Sequence, residues 1–149
     1  MKWILSISFL TAAVLLAPAG LVYAMDADAP PLYREGINNG IKFMEGGVGI
    51  NERTAMDSRA DEYNLKLVFE NHAGMYVGKV EVAIEDSSGK TAIRMEDAGP
   101  WFFANLPAGR YKVVTTFKGT KAVRYAQLGR NQRTLRFLWK DPGYSGRAH

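Results

Sequence analysis

Apolar and polar residues alternate along most of the chain after residue 64. Four segments, 65–70, 79–85, 111–118 and 135–140, place an apolar residue or a threonine at every second position. A period of two is typical of β-strands that bury one face and expose the other. The pattern therefore predicts strands in these segments, and turn-forming residues separate them. Shorter predicted strands lie at 91–95, 101–104 and 121–127.

Seven short strands at a spacing of about ten residues are typical of a β-sandwich. No segment of helical length lies between them, so the alternating strands and helices of a parallel sheet are not expected. We therefore predict an all-β fold: a seven-stranded antiparallel sandwich over residues 63–140, with a short N-terminal helix before it.

The short helix is predicted between the sandwich and a glycine-rich segment. Asn51 is a suitable N-cap for a helix over 52–62, in which Met56, Ala60 and Tyr63 lie on one face. Acidic residues at its C-terminal end oppose the helix dipole, so we expect the helix to be short.

Residues 25–62 form a leader in front of the sandwich. We expect residues 25–45 to be irregular, with a turn at Asn38-Asn39-Gly40. The glycine-rich segment 46–49 lacks the Lys-Ser or Lys-Thr end of a phosphate-binding loop. It is therefore interpreted as a backbone turn into the helix.

The first 24 residues have the layout of a secretory signal peptide. Lys2 precedes an apolar run over 4–16, Pro18 and Gly20 interrupt it, and small residues follow up to Ala24. Cleavage after Ala24 predicts a periplasmic or secreted protein with no transmembrane span in the mature chain. A single membrane anchor is the alternative interpretation, because the uncharged stretch is long enough to span a bilayer.

Charge is distributed unevenly over the 149 residues. The chain has 19 basic and 15 acidic residues, a formal net charge of +4, and no cysteine, which excludes disulfides and thiolate chemistry. The leader is acidic and the predicted sandwich is basic, with no acid between Arg110 and Lys140. Residues 141–149 are predicted to be a flexible tail.

The stretch from Tyr63 to Trp139 resembles the carboxypeptidase regulatory-like domains, which have a transthyretin-like (prealbumin-like), immunoglobulin-like sandwich. The best-matching segment is Leu106-Pro107-Ala108-Gly109-Arg110-Tyr111, where Pro and Gly set a tight turn before a strand. Residues 46–50 before a short acidic helix also resemble the leader of small exported proteobacterial proteins that carry this module. The resemblance implies the fold and no particular activity.

The residues indicate no catalytic, cofactor-binding or metal site. His72 and the terminal His149 are the only histidines, and metal sites need several ligands close together. A remote alternative is a hydroxyisourate-hydrolase-like enzyme, because those transthyretin-like proteins end in Tyr-x-Gly-Ser and this chain has Tyr144-Ser145-Gly146-Arg147. The last residue of that motif differs, and a second family histidine is missing.

Two groups of residues are candidates for a binding surface. Three consecutive aromatic residues, Trp101, Phe102 and Phe103, predict at least one exposed ring, unless the leader covers it. Lys112, Arg124 and Arg136 are predicted to point outward as a basic face. We therefore expect an exported, non-catalytic module that binds an envelope protein, or alternatively a carbohydrate through exposed aromatic rings. Export makes nucleic acid an unsuitable partner.

Overall fold

The structure, a computed structural model, describes residues 32–140 and shows a sandwich of two β-sheets with one short helix. The predicted signal peptide, the start of the leader and the tail 141–149 lie outside the described residues. Helix α1 spans Ile50–Asp57, and a 3₁₀ turn spans Ala60–Glu62. The nine strands are β1 Arg34–Asn38, β2 Ile41–Gly46, β3 Leu65–Asn71, β4 Val80–Asp86, β5 Thr91–Ala98, β6 Trp101–Asn105, β7 Gly109–Phe117, β8 Thr120–Leu128 and β9 Arg133–Trp139.

One sheet has five strands in the order β1-β2-β6-β3-β9, and the other has four in the order β5-β4-β7-β8. The prediction of a sandwich is confirmed, but the prediction of seven antiparallel strands is wrong. β3 and β9 pair in parallel, so the larger sheet is mixed. A period of two reveals a strand but not its direction. β9 reaches its place from the opposite sheet, so no hairpin dictates its direction beside β3.

The two additional strands come from the leader, which was expected to be irregular over 25–45. β1 and β2 form a hairpin, and β2 joins the larger sheet beside β6. The predicted turn is confirmed: Asn39 and Gly40 both have positive φ, 50° and 77°, as in a type I′ turn. The strands were missed because β2 buries Phe43 and Met44 on opposite faces, which removes the alternation of apolar and polar residues.

The main core lies between the two sheets. The larger sheet contributes Leu65, Phe69, Phe102 and Phe137, all at most 1% exposed. The smaller sheet contributes valine and isoleucine side chains from β4, β5 and β7. Aromatic contacts within this core support the five-stranded sheet: Phe69 and Phe137 have ring centroids 5.9 Å apart.

A second core lies on the outer face of the larger sheet. Helix α1 and the 3₁₀ turn cover this face, and Met56 and Tyr63 pack there against Trp101 and Phe103. β6 is consequently buried on both sides, and Trp101, Phe102 and Phe103 are 7%, 0% and 0% exposed. Of the two alternatives that the sequence left open, an exposed ring or a covering leader, the structure shows the second: the leader covers the strand.

The glycine-rich turn holds the start of the helix. Gly49 is the N-cap instead of Asn51, and Glu52 accepts a 2.8 Å hydrogen bond from the backbone N–H of Gly47. Gly47 has a φ of 91°, and a Cβ there would lie 3.0 Å from the Trp101 side chain. Only glycine meets both conditions, so the turn lets the helix lie close against β6.

Candidate binding surface at the β8 edge

The two sides of the sandwich, where the edge strands of both sheets meet, differ in whether side chains of the same chain bind the backbone groups of these edges. On one side, β1 lies beside β5, and Asn38 donates from Nδ2 to the carbonyl of Arg94 at 3.1 Å. Asn39 donates to the carbonyls of Thr91 and Ala92 at 3.3 and 3.1 Å. These side chains use acceptors that the edge of β5 would otherwise offer to another chain. This side of the sandwich is therefore closed.

On the opposite side, β8 and β9 are the last strands of their sheets. They contact each other at one end, where Trp139 Nε1 donates to the carbonyl of Thr120 at 3.2 Å. Farther along, the Arg124 guanidinium lies 5.8 Å from the centroid of the Phe137 ring. Within residues 32–140, no strand pairs with the outer edge of β8. This side is therefore open along a nine-residue strand.

The register of the β7–β8 hairpin identifies the backbone groups at that edge. Lys118 and Gly119 form its two-residue turn with φ of 46° and 79°, so Phe117 and Thr120 are the hydrogen-bonded closing pair. Hydrogen-bonded and non-bonded pairs then alternate along an antiparallel ladder. The residues whose N–H and C=O point away from β7 are Lys121, Val123, Tyr125 and Gln127, all of them exposed.

Basic side chains without an acidic partner surround this edge. Among the described residues, five of them form no ion pair with a carboxylate. They lie on β8, on the adjacent end of β7, on the β8–β9 connection and at the first residue of β9, so one side of the molecule carries a concentrated positive charge. These five residues, with the outward strand residues, define the β8 surface: Arg110, Lys121, Arg124, Arg130 and Arg133.

The structure separates the three basic residues that the sequence predicted as one face. Lys112 lies on the outer face of the smaller sheet, 3.9 Å from Glu85. Arg136 lies on the outer face of the larger sheet, 3.0 Å from Glu70. Arg124 pairs with the buried Val113 and so lies on the inner side of β8, at the open edge. Of the three, only Arg124 belongs to the β8 surface.

Tyr125 is a surface residue that the sequence analysis did not single out. Its side chain is 60% exposed, and the Arg110 guanidinium lies 6.0 Å from its ring centroid. β8 has small residues at 122 and 126 on its inner side, and this alternation was the available signal. Tyr125 lies at the rim of a depression of about 430 Å³ that Glu85, Asp86 and Lys112 also line.

Of the two carboxylates in this depression, that of Asp86 has a structural role. Asp86 accepts hydrogen bonds from the hydroxyl of Ser88 at 2.6 Å and from the backbone N–H of Lys90 at 3.0 Å. These bonds, the Ser88 hydroxyl first among them, lower the pKa of Asp86. An ionised carboxylate bound to its own turn stabilises the β4–β5 connection and is not available as a general base.

A larger depression of about 700 Å³ lies where the glycine-rich turn meets the β5–β6 turn. Glu45, 8% exposed, bridges to Arg34 at 2.7 Å and accepts a 2.6 Å hydrogen bond from the N–H of Gly99. Its carboxylate is thus engaged in holding the two turns together. His72 lies exposed in the turn after β3. The described residues contain no group of three or more His, Cys, Asp or Glu side chains placed to hold a metal ion.

The buried aromatics have partners inside the molecule. The Lys66 ammonium lies 3.5 Å from the centroid of the Trp101 ring and 3.1 Å from the Asp57 carboxylate. This contact attaches α1 to the sheet that it covers. Trp101 therefore supports the helix instead of forming an external platform.

No protein-family model matches this chain, and no curated protein is similar to it in sequence. The resemblance to carboxypeptidase regulatory-like domains therefore stays a prediction. Within residues 32–140, none of the helical segments has the length and hydropathy needed to cross a membrane.

Proposed function

We propose that this chain is an exported, non-catalytic β-sandwich module, periplasmic or secreted, that binds an acidic protein of the cell envelope through the β8 surface. The observation that carries the proposal is the contrast between the two sides of the sandwich. Side chains close the β1–β5 side, whereas on the β8 side residues 32–140 provide neither a strand for the outer edge nor a carboxylate partner for five basic residues. The predicted signal peptide and the carboxypeptidase regulatory-like strand pattern support the same assignment.

The chemistry of the β8 surface favours an acidic partner. Unpaired basic groups attract and orient a negatively charged protein and disfavour a second copy of the same surface. Exposed apolar groups on the outer face of β8 supply area for burial: Val123 is 46% exposed and Tyr125 60%. Charge for orientation and apolar area for affinity are the two components of a specific protein interface.

The test is a titration of the isotope-labelled exported chain with a peptide that alternates Glu and Val, followed by NMR. We expect resonances of residues 121–127 to shift, and we expect no shift with the isomer in which Lys replaces Glu. Replacing Lys121 and Arg124 together by Glu should abolish the response. The matched control, Lys90→Glu, makes the same kind of change at an exposed base in the β4–β5 turn, outside the β8 surface. Shifts confined to other regions, or equal binding of both peptides, would contradict the proposal.

A second candidate function is carbohydrate binding at the depression beside Tyr125. An exposed aromatic ring next to charged and polar side chains is an arrangement that can stack on a sugar and hydrogen-bond its hydroxyls. This replaces the carbohydrate hypothesis based on Trp101, Phe102 and Phe103, which are buried.

A glycan array tests this alternative. Binding that Tyr125→Ala removes and that Tyr76→Ala, at an exposed tyrosine outside this depression, leaves intact would favour a sugar ligand. Absence of glycan binding by the unmodified chain would reject it.

A further inference from the structure

We infer that the partner binds as an extended acidic segment that adds a fifth strand to the smaller sheet along the outer edge of β8. This inference rests on the proposed function and specifies its binding mode. It concerns the backbone of the β8 surface as well as its charges, because the edge offers unpaired donors and acceptors in a fixed register.

The edge has the length and regularity that strand addition requires. β8 pairs with β7 over all nine residues without a register shift, and residues 120–128 contain no proline. Nine residues correspond to an edge of about 30 Å, longer than the usual strand of about five to six residues. Native proteins protect such edges with bulges, prolines, short strands or charges. Over the part of the chain that the structure describes, the protection of this edge consists of charge alone.

The basic residues at this edge determine which side-chain charge an added strand must carry. Lys121 and Arg124 lie on β8 itself, and neither has an acidic partner among the described residues. Two copies of β8 side by side would bring these bases together, which is unfavourable across a strand pair. Between an acidic strand and β8 the charge–charge interaction across the strand pair is attractive. The same basic residues that oppose pairing of two β8 edges therefore favour the binding of an acidic segment.

The two faces of β8 also differ in what they offer to side chains. On the outer face Val123 and Tyr125 are exposed, with Lys121 near the start of the strand on the same face. On the inner side Arg124 lies at the open edge. Side chains of an added strand alternate between these faces. The segment that fits best has apolar residues beside Val123 and Tyr125 and acidic residues beside Arg124. A peptide that alternates Val and Glu has this pattern.

The first arm of the experiment uses nine-residue peptides, the length of β8, and measures affinity by calorimetry. The parent alternates Glu and Val, and two isomers carry N-methyl groups on all Val or on all Glu residues. Alternate N–H groups of a strand point to opposite edges, so only one isomer blocks the edge that faces β8. We expect that isomer to bind about tenfold more weakly or worse, and the other to bind as the parent does.

The second arm changes the edge of the protein. The N–H of Val123 points away from β7, so Val123→Pro removes an outer donor and leaves the β7–β8 ladder intact. Val123→Ala is the matched control, because it loses the side chain and keeps the N–H. We expect the proline variant to lose about tenfold or more in affinity relative to the alanine variant. When the parent peptide binds the unmodified chain, amide hydrogen exchange at Val123 and Tyr125 should become slower. This measurement tests strand addition even if the proline variant folds poorly.

The outcomes separate the two proposals. Binding that is insensitive to both N-methyl isomers, with Val123→Pro equal to Val123→Ala and no added amide protection, overturns strand addition and leaves the charge-based interface. A parent peptide that does not bind at all overturns both proposals. A stable dimer of the free chain through β8, seen by analytical ultracentrifugation, overturns the acidic partner in favour of a second copy.

Discussion

At the scale of single residues, burial on both faces of β6 is the feature that most changed the functional interpretation. Three consecutive aromatics suggest an exposed ring when a strand has one wet face. In this molecule Phe102 points into the main core and Phe103 into the second core. The stabilising role of Phe103 can be compared with that of the exposed Tyr125.

We predict that Phe103→Ala lowers the free energy of unfolding by about 3–5 kcal/mol, because it leaves a cavity under the helix. Tyr125→Ala should change it by about 0.5 kcal/mol or less, since the ring is 60% exposed. Urea denaturation of the two variants measures both values. Equal effects of the two substitutions would show that the helix does not cover β6.

At the scale of elements, the β1–β2 hairpin depends on backbone conformation. Gly40 has a φ of 77°, and a Cβ at this position would meet no atom within 4 Å. A substitution here therefore introduces backbone strain without a steric clash. Gly129 also has open space around its Cα, but its φ lies outside the left-handed region.

We predict that Gly40→Ala destabilises the protein by about 1–2 kcal/mol, whereas Gly129→Ala is neutral or slightly stabilising. Thermal unfolding followed by circular dichroism measures the difference. If Gly40→Ala proves neutral, the type I′ turn does not set the register of the hairpin.

The elements also show what the sequence could predict. The segments with regular alternation became strands, because one face of each strand meets the main core. The Asn39-Gly40 turn was recognised from its residue types, but the flanking strands were not, since β2 is buried on both sides. Arg124 was assigned to the outer face, and only its pairing with Val113 reveals the correct side. Register across strands is a tertiary property, so periodicity within one strand cannot provide it.

At the scale of the whole molecule, an ionic network joins the leader to the sandwich. Arg59 binds Glu62 at 2.8 Å and also contacts Glu35 on β1. Glu62 in turn contacts Lys42 on β2. The 3₁₀ turn is thus attached by charge to the hairpin that completes the larger sheet, and the part of this attachment that Glu62 makes exists only while Glu62 is ionised.

The network makes the stability of the molecule sensitive to acid. Hydrogen bonds from Arg59 and Lys42 lower the pKa of Glu62 from 4.5 to about 2. Because the folded pKa lies below the unfolded one, the contribution of Glu62 is fully present above pH 4.5 and is lost as the pH falls towards 2. We predict that the melting temperature of the wild type falls more steeply over this interval than that of Glu62→Gln. Both proteins are compared at low salt, since ions screen these exposed groups. If the melting temperatures of the two proteins fall in parallel as the pH decreases, the charge of Glu62 does not help to hold the leader on the sandwich.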